Sequence, residues 1–253
     1  MFSNFIEILI LSFVQGISEF LPVSSSAHLL IISKLKTFQS SSLEIDISLH
    51  LGSLIAIIFY FRKELIGIFK NKNLLLLIIL GSIPLIVVGF ILHKTGLINH
   101  LRNIEIIAWT TLLFWILLFF SDKFEVKKNL NNDLNIKNIL VISFFQILAL
   151  IPGVSRSGIV ITAGRFLKFN RYESSKISFY LSIPAIAGAS FLGLKDISGE
   201  NIEVNSLVFF SIFLSFTFSY LTVKYFLISN LSEKNKRIPN NRVVQAITSI
   251  FLK

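Results

Sequence analysis

The run from Glu19 to His28 places a carboxyl group, three hydroxyls (Ser24, Ser25 and Ser26) and an imidazole within ten residues. Ser25 and His28 stand three apart, so on a helix they share a face, where an imidazole can activate a hydroxyl. A second run, Pro152-Gly153-Val154-Ser155-Arg156-Ser157-Gly158, sets a guanidinium between two hydroxyls and two glycines. An Arg fork suits phosphate or carboxylate, and the glycines would let an anion approach the backbone closely. The chemistry on offer is anion binding with an acid–base group beside it.

These polar runs lie in a greasy chain. Of its 253 residues 53% are hydrophobic and 26 are Phe, and the mean hydropathy is +0.75. Segments 43–60, 74–93, 104–120, 176–194 and 206–229 are apolar runs of about 17–24 residues, the length that crosses a bilayer as a helix. The chain is therefore expected to be an all-α polytopic membrane protein. With Glu7 and no basic start, the N-terminus does not read as a cleaved signal peptide. Without cysteine there is no disulfide or thiol chemistry. The formal charge of +10 is expected to serve cytoplasmic loops and anionic lipid rather than nucleic acid.

Loop charge predicts the topology. Residues 61–73, 121–138 and 232–242 are basic and read as cytoplasmic, while 195–205 is acidic and reads as outside. The alternation of spans places 93–103 outside as well. The stretch after 138 is apolar, broken at Pro152-Gly153, apolar again, then basic at Arg165, Lys168, Arg171 and Lys176. With both ends cytoplasmic, it would dip into the membrane and return. Such backbone is tolerated only where protein buries it or it lines a cavity.

The opening segment looks like its partner. Residues 12–29 and 143–158 share Ser-Phe-x-Gln, then Pro, then Val-Ser-x-Ser-small at an offset of 131, and "ISLHL" (47–51) echoes "ISFYL" (177–181) at 130. Two echoes at nearly one offset indicate an internal duplication. The expected organisation is one integral membrane domain, 1–253, of two inverted repeats at about 1–120 and 138–253. Each holds one re-entrant helical hairpin and three transmembrane helices. The last span, 243–253, is short. The echo between 82–90 and 182–191 falls outside this register and reads as helix-kinking proline.

In both runs a helix stops at Pro and another can start at Ser: Ser24 or Ser25 would cap one, Ser155 the other. Their N-termini would point free N–H groups and positive dipole ends into the membrane, forming an anion site. Single serines in membrane helices often only pack or back-bond. Glu19 and Arg156 are different, because an unpaired charge at that depth is costly, so one pocket is expected to hold both. His50 lies inside a span and is a candidate lining residue. An enzyme acting on a lipid-linked phosphate and a transporter or flippase of a lipid phosphate or other anion both fit. The hydroxyl, imidazole and carboxylate favour the enzyme.

"QGISEFLPVSSSAHL" (15–29) and "PGVSRSG" (152–158) resemble the two signature motifs of the bacterial undecaprenyl-diphosphatase family, bacitracin-resistance type. Residues 49–57 and 171–190 extend the likeness over most of the chain. The resemblance implies a multi-pass enzyme of the bacterial cytoplasmic (inner) membrane. It would cleave undecaprenyl diphosphate to undecaprenyl phosphate and phosphate, recycling the carrier lipid for the cell wall and conferring bacitracin resistance.

Carried over to this sequence, the resemblance implies catalytic roles for Glu19, Ser25, His28 and Arg156. Diphosphate binding falls to Ser24, Ser26, Ser155, Arg156, Ser157 and Gly158. A divalent cation, Mg2+ or Ca2+, would support activity, with Glu19 its expected ligand. The attacking group stays open: Ser25 or a water with His28 as base, or His28 itself, while Glu19 orients His28 or holds the cation. The chain departs from the family at Gln15, often a second Glu, at Ala27, usually Gly, and at Val160, commonly Thr. The expected partners are the polyprenyl diphosphate lipid and membrane lipid, with no nucleic acid; a homodimer is left open.

Overall fold

The computed structural model describes residues 2–35, 43–97, 103–197 and 206–235. The expected short span at 243–253 lies outside them, as do parts of the two loops expected outside the membrane. The described residues form helices throughout: α1 (Phe2–Ser18), α2 (Ser25–Leu35), α3 (Leu43–Tyr60), α4 (Arg62–Lys70), α5 (Lys72–Thr95), α6 (Ile104–Ser121), α7 (Leu130–Asp133), α8 (Ile136–Ile147), α9 (Arg156–Phe166), α10 (Arg171–Ile197) and α11 (Ser206–Asn235). Five of them (α3, α5, α6, α10 and α11) are long and apolar enough to cross a membrane. They match the five apolar runs to within a few residues, and Pro84 and Pro184 both fall inside helices.

Two interruptions organise the rest. After α1 the chain turns at Glu19–Ser24, where Pro22 offers no N–H to continue the helix and the Val23 N–H closes onto the Leu21 carbonyl at 2.7 Å. After α8 a 3-10 turn, Leu148–Leu150, leads into Pro152-Gly153 before α9 starts. Gly153 has φ +94°, and a Cβ there would come 2.7 Å from the Ile107 carbonyl of α6. Thr110 donates to the Pro152 carbonyl at 2.7 Å and Thr111 to the Gly153 carbonyl at 3.1 Å, so α6 holds the second break in place.

Packing crosses between the halves of the chain. α1 lies against α11 and α8 against α5, while α3 meets both α11 and α10. On α1 the buried side chains Ile8, Leu11 and Gln15 recur at helical spacing, and Leu9 and Phe13 on other faces are exposed. Small residues let α3 and α11 come close: a Cβ on Gly52 would meet the Ile212 carbonyl at 2.5 Å. Ser48 pairs with Ser211 and Ser53 with Ser219 across that seam, at 2.5 and 2.9 Å. Close backbones and hydroxyl pairs replace the hydrophobic drive that lipid does not supply.

The loop expected at 61–73 is in part a helix, and the basic residues that follow the second break are partly buried. Residues 62–70 form α4, because Leu65 and Ile68, three apart, pack on the main core. Arg165 is buried rather than solvated: it donates to the carbonyls of Phe169, Asp122 and Phe124, and Arg171 pairs with Asp122 beside it. Lys168, at φ 72°, ends α9 in a left-handed turn whose carbonyl accepts from the N–H groups of Lys127 and Lys128. The end of α9 is thereby tied to the segment after α6.

Candidate active site

The two breaks meet. Ser155 and Ser157 at the start of α9 both donate to the Leu21 carbonyl in the first break, at 3.4 and 2.5 Å. Gly158 lies at this meeting: a Cβ there would press on Ser155 Cβ at 3.1 Å and touch Pro22 Cα at 3.4 Å. Ser155 caps α9 as its type predicts, accepting from the Gly158 N–H at 3.1 Å. Ser24 stands just before α2, buried, with its hydroxyl 3.3 Å from that of Ser26, which is exposed.

Glu19 lies at the centre. Its side chain is 3% exposed and pairs with Arg156, which reaches across from α9. The same carboxylate accepts from Ser25 Oγ at 2.8 Å and from Gln15 Nε2 at 2.9 Å. A buried charge needs partners of this kind to be tolerated. Ser25 and Arg156 are 131 residues apart, the offset of the sequence echo, and each is the first residue of its helix. Two corresponding positions therefore hold one carboxylate, a hydroxyl on one side and a guanidinium on the other. One Arg156 nitrogen is spent on Glu19, and its fork has further N–H groups for an anion.

His28 sits on α2 with Nδ1 2.6 Å from the Ser24 carbonyl. Facing a carbonyl, Nδ1 must donate, so the neutral ring carries its lone pair on Nε2. Ser25, one turn away, bonds to Glu19 rather than to His28. Glu19 lies against His50, 3.8 Å from Nδ1. The carboxylate is thus placed to act on the serine, and the orienting role for His28 falls to a backbone carbonyl.

The structure gathers Glu19, Ser24, Ser25, Ser26, His28, Ser155, Arg156, Ser157 and Gly158 at the meeting of the breaks. It also brings in His50, which the sequence offered as a candidate lining residue, and Gln15, an amide inside α1 that bonds to both Glu19 and His50. In the sequence Gln15 stood out as one of the residues repeated at the 131 offset and as a departure from the family motif.

A model of the family described as bacitracin resistance protein BacA matches residues 8–237, which include both breaks. An undecaprenyl-diphosphatase of Pelagibacter ubique (strain HTCC1062) is 61% identical over 228 residues, 90% of this chain and 89% of that protein. Proteins of the same name from Elusimicrobium minutum (strain Pei191) and Alteromonas mediterranea (strain DSM 17117 / CIP 110805 / LMG 28347 / Deep ecotype) are 40% and 38% identical. These cover 85% and 87% of the chain and 89% and 88% of the relatives.

Proposed function

The chain belongs to the bacitracin resistance protein BacA family, and from that premise we infer that it is an undecaprenyl-diphosphatase whose active site is the junction of the two breaks. The observation that carries the assignment of the site is the buried Glu19 carboxylate, shared by Ser25 at the start of α2 and Arg156 at the start of α9. The paired helix N-termini and the Arg156 fork supply donors for a diphosphate, where its charge is stabilised during phosphoryl transfer.

In this reading Ser25 Oγ attacks the terminal phosphorus as its proton passes to Glu19 Oε2. The bond from that phosphorus to the bridging oxygen breaks, and undecaprenyl phosphate leaves. Water, giving a proton to His28 Nε2, then attacks the phosphoserine; the Ser25–phosphorus bond breaks, Ser25 recovers its proton from Glu19, orthophosphate departs and His28 releases its proton to solvent. Ser24 and Ser26 furnish hydroxyls toward the phosphates, while Ser155, Ser157 and Gly158, whose donors are engaged, hold the start of α9 against the first break beside them. The polyprenyl tail stays in the lipid between helices.

A divalent cation has few protein ligands here. The described residues contain no group of three His, Cys, Asp or Glu that could hold a metal, and both oxygens of Glu19 are engaged. These residues do not by themselves build an Mg2+ or Ca2+ site, and the chemistry above uses only the chain's own groups.

The same proposal takes the chain as one membrane domain of two inverted halves in the bacterial inner membrane, with each broken helix pair re-entrant. The crossed packing of α1 on α11 and α8 on α5 supports it. The test is release of orthophosphate from undecaprenyl diphosphate by the purified protein in detergent. Ser25→Ala is expected to lose at least about a thousandfold in kcat; a loss of only a few-fold would remove Ser25 as the nucleophile.

A further inference from the structure

His50 has no role in the chemistry so far, yet its ring reaches the centre of the site from α3. Gln15 Nε2 carries two protons and spends both: one on Glu19 Oε2 and one on His50 Nδ1, each at 2.9 Å. The amide orientation is fixed chemically. Turning it over would set its oxygen against the Glu19 carboxylate, an acceptor facing an acceptor. Nδ1 of His50 therefore accepts, and the neutral ring must carry its proton on Nε2.

That proton is available. Among the described residues Nε2 has no hydrogen-bond partner, and the His50 side chain is 31% exposed against 3% for Glu19 beside it. The corresponding position in the second half is Tyr180, whose hydroxyl goes to Glu64, and the counterpart of Gln15 is Gln146, buried with neither amide atom bonded. Only the first half couples its amide to a ring with a donor to spare.

We propose that His50 is a binding residue of the site, donating Nε2–H to a phosphate oxygen of the diphosphate, and that Gln15 is the positioning residue that holds it in that tautomer. The proposal rests on the diphosphatase reading of this same pocket. A neutral donor that meets the phosphate before and during the transfer contributes about equally to both, so its loss appears in KM rather than kcat.

The experiment compares KM and kcat for undecaprenyl diphosphate in the purified full chain, wild type beside His50→Leu, His50→Gln and Arg156→Ala. Hydrogen bonds to charged groups set the expected size: His50→Leu raises KM about 10- to 100-fold with kcat within about threefold. His50→Gln, which keeps an N–H donor, recovers most of that loss. Should the Leu variant fail to fold, His50→Phe, with a ring and no nitrogen, carries the same expectation. An unchanged KM in the apolar variants, a loss confined to kcat, or a Gln variant as impaired as Leu would overturn the role of His50. Those outcomes are distinct from failure of the underlying reading, which would show as a wild type without turnover or an Arg156→Ala variant with full activity.

Discussion

At the scale of single residues, one carboxylate decides the arrangement. Glu19 is buried and negative, so the groups bonded to it are donors: the Arg156 guanidinium, the Ser25 hydroxyl and the Gln15 amide. Arg156 must serve this carboxylate and an incoming phosphate together, which needs a fork of donors rather than one charged point. Arg156→Lys keeps the charge and loses the fork. We expect it to lower kcat/KM about 10- to 100-fold, measured as initial rates of orthophosphate release, and full activity in the Lys variant would show that charge alone suffices. The acid, the serines, His28 and Arg156 were legible in the sequence because charged and hydroxyl groups stood out against apolar surroundings. His50 was legible only as a candidate, since nothing near it in the chain reveals that α3 delivers it to Gln15. The serine–histidine pairing suggested by i,i+3 spacing gave way to Ser25–Glu19, because the turn at Pro22 brings the carboxylate back over the start of α2.

At the scale of elements, the breaks are the functional parts and the long helices their frame. Pro22 and Pro152-Gly153 announced both breaks, and Ser155 announced its cap; those signals are local and survive in one dimension. What clamps the breaks was not legible, because it is supplied from afar: Thr110 and Thr111 of α6 for the second, Ser155 and Ser157 for the first. Likewise nothing near Arg165 and Arg171 in the chain shows that Asp122, more than forty positions earlier, pairs with them. Gly153 tests this level directly. Its positive φ and its contact with α6 leave no room for a Cβ, and left-handed backbone costs an L-residue about 1–2 kcal/mol before any clash. Gly153→Ala should lower the Tm of the detergent-solubilised protein by about 2–8 °C, with activity falling as the break shifts; an unaltered Tm would show that α6 does not constrain it.

At the scale of the whole molecule, the packing joins what the sequence separates. Residues 137 positions apart, Glu19 and Arg156, form one ion pair because two broken helices meet across the protein. The repeated offset in the sequence hinted at this meeting, and the five apolar runs supplied the frame. The crossed partnerships of α1 with α11 and α8 with α5 depended on tertiary packing that periodicity alone does not encode. Groups that act as one unit lose their effect together, whereas independent groups lose it in sum. The central claim is that the two breaks make a single site, and the measurement that tests it most directly is a double-mutant cycle on kcat/KM for orthophosphate release. It comprises Glu19→Gln, Arg156→Ala and both together. We predict that the double variant is at most about threefold slower than the slower single variant. Losses that simply multiply would contradict the shared site and return the two breaks to separate roles.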